Sequence, residues 1–114
     1  MNFPPIAWLF LTLAIIGEII GTTSLKASKE FTVLMPTIFI AVGYGISFYF
    51  MILAMRHIPV AVTYAFWSAL GIVFITVLSA IRFNERPDLP AVLGIGLIIA
   101  GVILITVFSK MKAS

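Results

Sequence analysis

The sequence predicts an all-α membrane protein, with four transmembrane helices forming one domain over residues 1–114. Composition is the first reason: 62% of the chain is hydrophobic and 10% charged. With a mean hydropathy of +1.23, that balance lies far outside the range of soluble globular domains. The second reason is segmentation. Apolar runs cover residues 4–25, 33–55, 60–81 and 91–108. At ~1.5 Å of rise per residue, each is long enough to cross a hydrocarbon core of ~30 Å. The third is the brevity of the breaks at residues 26–32, 56–59 and 82–90, which forces successive spans to run antiparallel. Nothing outside the spans is large enough to carry a soluble activity.

Span 1 has no Lys or Arg before it and exceeds the length of a signal-peptide core, so it is expected to be retained. Within it, Leu11, Ala14, Ile15, Glu18, Gly21, Thr22 and Leu25 share one face by three-and-four spacing. Glu18 is the only charged residue of this span. A carboxyl group at that depth is costly unless protonated, paired or wet, which makes it a functional-site expectation by default. The plainer alternative is a protonated acid that only holds helices together. Gly17 and Gly21 form a small-xxx-small pair beside it, allowing close approach of another helix or leaving space by the carboxylate.

Span 2 places Tyr44, Ser47 and Phe48 on one face, with Gly43 and Gly45 relieving crowding and Pro36 in the first turns. A tyrosine near mid-span is poorly explained as an interfacial anchor, whereas Trp8, near the start of span 1, fits an aromatic belt. Span 3 begins after Pro59 and presents Tyr64, Trp67, Ser68 and Gly71 at i, i+3, i+4 and i+7. Such rings attract organic cations through their quadrupoles, by ~2 kcal/mol when desolvated; alone, the stripe would read as packing. Span 4 is preceded by Asp88 as a cap and by Pro90. Gly94 and Gly101 lie on one stripe, with Gly96 and Ala100 beside it, suiting a dimer interface or ordinary packing within one protomer.

Charge says little about orientation. Arg56, Lys110 and Lys112 fall on one side, and Lys26, Lys29, Arg82 and Arg86 on the other. A difference of one leaves the positive-inside rule almost nothing to act on, so insertion in both orientations is expected, with a fixed topology set by one charge as the alternative. Oppositely oriented copies could pair as an antiparallel homodimer that imitates inverted-repeat transporters. The pI near 9.6 does not indicate nucleic acid, because the cations are dispersed as headgroup anchors. Cysteine is absent and His57 is a lone loop histidine, so no metal site, cofactor, catalytic nucleophile or enzymatic activity is expected.

Together these residues suggest a cavity of aromatic rings around carboxylates that no fixed cation neutralises. Protons and a lipophilic cation would compete for Glu18, and two copies would titrate as a coupled pair. If the site faces one side at a time, that competition is antiport.

The chain resembles the small multidrug resistance transporters over essentially its whole length. The resemblance rests on Gly17-Glu18-Ile19-Ile20-Gly21-Thr22, Lys26, Phe31-Thr32 before Pro36, Pro59 before Tyr64-Ala65-Phe66-Trp67-Ser68, Asp88-Leu89-Pro90 and the glycine-spaced span 4. It implies an antiparallel homodimer in the bacterial inner membrane that exchanges protons for toxic organic cations, with Glu18, Tyr44, Tyr64 and Trp67 at the site. Gly21-Thr22 is similar to the quaternary-ammonium and multidrug branch, since the guanidinium branch usually carries tryptophan at Gly21. A narrower guanidinium or polyamine exporter, or a heterodimer or accessory membrane subunit, are the alternatives. Three departures stand out: Ala69-Leu70-Gly71 in place of a Gly-x-Gly hinge, Trp8 in place of a tyrosine, and Lys29-Glu30 in the first turn.

Overall fold

The computed structural model describes residues 3–112 as four helices: α1 (Pro5–Ala27), α2 (Leu34–Ala54), α3 (Val60–Arg82) and α4 (Leu89–Phe108). All four are long and apolar enough to cross a membrane. The expected order of spans is therefore present, with ends shifted by local chemistry. Asp88 accepts a hydrogen bond from the Ala91 N–H at 3.0 Å, and Pro90 sits in the first turn. That cap starts α4 at Leu89, two residues before its apolar run. At the other end of the chain α1 outruns its apolar run and carries Lys26 in its last turn, where a cation suits the helix dipole.

The connections are shaped by residues in the left-handed region. Lys29, Glu30 and Phe31 have φ of 48°, 63° and 67°, and the Thr32 and Val33 N–H groups both donate to the Ser28 carbonyl at 3.0 Å. Asn84, with φ 57°, turns the chain just past α3, while the Phe83 and Glu85 N–H groups donate to Ser79 O. Lys26 forms an ion pair with Glu85, joining the end of α1 to the α3–α4 connection. Lys26 Nζ and the Arg82 guanidinium also lie 5.2 and 5.4 Å from the Phe83 ring centre.

α1 and α2 form the tightest pair because glycines meet glycine. A Cβ placed on Gly17 would lie 2.6 Å from Gly43 O, and one on Gly43 would lie 2.7 Å from Gly17 O. Only hydrogen fits on either side, so the two backbones are in contact at mid-span. Gly45 behaves differently from the expectation that it relieves crowding: nothing lies within 4 Å of a Cβ there. At one end, Ala7, Leu11 and Ile15 of α1 close a core with Ala54, Ile58 and Val62. Trp8 joins this core edge-on to Phe66 at 5.1 Å, so it packs on α3 as well as lying near a helix start. α3 packs on α1, and α4 packs mainly on α3, with Ile105 reaching the core. None of the α4 residues is buried.

Replacing Gly17 or Gly43 with leucine is expected to destabilise the α1–α2 pair by about 1–3 kcal/mol. Gly45→Ala should stay within about 0.5 kcal/mol of the native chain. Unfolding of the purified protein in mixed micelles measures both, and equal losses at Gly17 and Gly45 would contradict the packing described.

Candidate functional site

Glu18 lies on the α1 face that meets both neighbours and is only 9% exposed. The Thr22 hydroxyl, one turn further along, donates to Glu18 Oε1 at 2.9 Å. The same Thr22 oxygen is 2.6 Å from Tyr44 OH on α2. On the opposite side α3 presents Gly71, where a Cβ would fall 2.9 Å from Glu18 Oε2. The carboxylate is thus held from α1 and α2 through hydroxyls and accommodated by α3 through the lack of a side chain. α3 runs unbroken through Gly71, so in this structure the glycine gives clearance.

Gly21 provides the second clearance. A Cβ there would stand 3.2 Å from Tyr44 ring carbons, so the tyrosine lies flat against α1. That seat lets its hydroxyl reach Thr22, and the Phe48 ring stacks with it at 5.9 Å between centres and 17° between planes. Tyr44, Gly21, Thr22 and Glu18 therefore form one continuous group. A tryptophan at Gly21 would evict the Tyr44 ring and break it.

Tyr64 and Trp67 form an edge-on pair at 5.4 Å, on the α3 face that carries Gly71. No hydrogen bond joins either of them, or Ser68, to Glu18 among the described residues. Tyr64 is 57% and Phe48 53% exposed, so in one protomer the aromatic faces are open. Among the described residues three buried side-chain polar atoms lack hydrogen-bond partners, one from each of three helices: Glu18 Oε2, Ser47 Oγ and Trp67 Nε1. Clefts of about 530 and 360 Å³ lie between α3 and α4 and one of about 430 Å³ between α1 and α3; Glu18 lines none of them. Nothing lies within 4 Å of a Cβ placed on Gly94 or Gly101, and Gly94 lines the larger cleft between α3 and α4. Among the described residues no group of His, Cys, Asp and Glu could hold a metal ion.

Thr22 is the residue whose importance spacing alone did not show. It stands at i+4 from Glu18 and so within reach of the carboxylate, but its bond to Tyr44 crosses between helices.

Four membrane-length helices, three of which meet at one buried carboxylate, define a multi-pass membrane protein with an ionisable site between its spans. The chain belongs to the Small Multidrug Resistance protein family, whose sequence model matches residues 6–98. It is 45% identical to the quaternary ammonium compound-resistance protein QacE of Escherichia coli over 106 residues, 93% of this chain and 96% of that protein. A putative ethidium bromide resistance protein of Pseudomonas aeruginosa is 47% identical over 97 residues, covering 85% and 84% of the two chains. QacG, a quaternary ammonium compound-resistance protein of a Staphylococcus species, is 44% identical over 103 residues, 90% of this chain and 96% of its own.

Gly71→Ala is expected to move the Glu18 carboxyl, and Gly21→Ala the Tyr44 ring, whereas Gly94→Ala should move neither. Carbon-13 chemical shifts of Glu18 Cδ and the Tyr44 ring, recorded in bilayers, read this directly. Unchanged Glu18 signals in Gly71→Ala would remove α3 from the site.

Proposed function

We propose that this chain is a proton-coupled antiporter exporting lipophilic aromatic and quaternary ammonium cations across a bacterial cytoplasmic membrane. The observation that carries this reading is Glu18, the one acid within the spans, enclosed by three helices in a chain whose relatives are named for resistance to such cations. A carboxylate in this setting needs a positive partner. A proton satisfies it at an oxygen; an organic cation satisfies it by charge, with rings to cover its apolar body. Occupancy by one opposes the other, so downhill proton entry drives cation exit provided the site opens to one side at a time.

Tyr44, Phe48, Tyr64, Trp67 and Ser68 would line the cation's space, with Gly17, Gly21 and Gly71 providing room for Glu18. The open aromatic faces and the space beside Gly94 and Gly101 on α4 suit a second copy. With three cationic residues facing four across the two ends, that copy would be inserted in the opposite sense. An antiparallel homodimer would bring two Glu18 residues to one cavity, where they titrate together.

Adding tetraphenylphosphonium to the purified protein near neutral pH is expected to release protons, and Glu18→Gln should abolish both the release and pH-dependent binding. Once the carboxyls are largely protonated, each unit fall in pH should weaken cation binding about tenfold per competing proton. Retained pH-dependent binding in Glu18→Gln would end the proposal. In cells, the chain should protect against ethidium and quaternary ammonium antiseptics but not guanidinium, and C-terminal reporter fusions should report both orientations. A single orientation would remove the antiparallel pair.

A further inference from the structure

The contact between Thr22 and Tyr44 fixes a direction of hydrogen-bond donation that the exchange cycle can use. A threonine hydroxyl carries one hydrogen. While Glu18 is ionised it is donated to Oε1 across 2.9 Å, and the 2.6 Å contact is then made by the Tyr44 hydroxyl donating to Thr22. The chain of donation runs Tyr44 to Thr22 to carboxylate, and it leaves a Tyr44 oxygen lone pair free.

Protonation of Glu18 changes this order. A proton on Oε1 has an acceptor in Thr22 Oγ1, whereas Oε2 has no hydrogen-bond partner among the described residues. With Glu18 as donor, Thr22 turns its hydrogen to Tyr44, and the Tyr44 hydrogen must point away from Thr22. No covalent bond changes beyond the proton's own: each hydroxyl rotates about its C–O bond. The free end of Tyr44 then passes from acceptor to donor, from a pole that favours a cation to one that disfavours it.

We propose that Thr22 is a positioning residue that reverses the Tyr44 hydroxyl dipole according to the proton occupancy of Glu18, so that protonation both neutralises the carboxylate and turns Tyr44 against a bound cation. This rests on the exchange reading above and deepens it. The geometry favours a rotation of hydroxyls over movement of the ring, because the Tyr44 ring lies flat against Gly21 and stacks with Phe48. Few other groups can interfere. α3 meets the carboxylate with Gly71; its Tyr64 is about two turns away and its Arg82 about three. Along α1, Lys26 is about two turns on and paired with Glu85. Tyr44 is the titratable group that α2 brings to this point.

The experiment measures tetraphenylphosphonium affinity against pH for the full chain in bilayers. Thr22→Val keeps the shape and removes the relay, so protons should displace the cation at about tenfold lower proton concentration, the ionised carboxylate having lost its donor. Thr22→Ser restores a hydroxyl and should follow the native profile. Tyr44→Phe keeps the stacked ring, should shift the profile in the same direction, and carries the test alone if Thr22→Val does not fold. In the double variant the two shifts should not add, because either one breaks the same chain. A native profile in Thr22→Val, or in Tyr44→Phe where that variant alone is measured, or additive shifts in the double variant, would overturn the relay while leaving exchange at Glu18 intact. Exchange itself is tested separately by Glu18→Gln.

Discussion

Housing one carboxyl group among apolar helices dictates where this protein places its smallest residues. A charged side chain at the centre of a span costs ~2.5–3.5 kcal/mol even by forgiving scales, so its surroundings must supply hydrogen bonds and exclude lipid. Thr22 supplies the bond, Gly71 lets α3 close over the second oxygen, and the Gly17–Gly43 contact brings α2 near enough for Tyr44 to take part. Each of these three glycines is tied to a particular atom on a neighbouring helix. The site is thus made as much by missing side chains as by present ones.

The same arrangement divides the protomer unevenly. α1 and α2 are joined backbone to backbone, with the deepest burial of the chain along α1. α3 shares the site but is half-exposed along its length, and α4 buries nothing. In water such a helix would be untenable; in lipid, exposed leucine and isoleucine carry no penalty, and association depends on shape and polar contacts. The Lys26–Glu85 pair links the end of α1 to the connection leaving α3.

The spans were legible in the sequence because a bilayer demands long apolar runs, and Asp88 with Pro90 marked the start of α4 through capping chemistry that acts locally. The face shared by Glu18, Gly21 and Thr22 was legible for the same reason, since three-and-four spacing is a property of one helix. Registers between helices were not. That Gly43 and not Gly45 meets α1, and that Tyr44 reaches Thr22, depend on how far α2 slides along α1, which no period within either helix encodes. Trp8 illustrates the same limit: its position near a helix start suited an interfacial anchor, while its edge-on contact with Phe66 is set by α3. The left-handed run Lys29–Phe31 escaped because these residue types do not ordinarily mark such a turn.

The Gly17–Gly43 crossing also bears on how the protein can evolve. Every missense change at either codon adds a Cβ, and each Cβ would meet backbone, which cannot yield as a side chain can. Changes that reshape the proposed cation space are thereby barred from the helix crossing and channelled to residues such as Phe48 and Tyr64, whose side chains are about half exposed. The scaffold stays fixed while the aromatic faces remain open to selection.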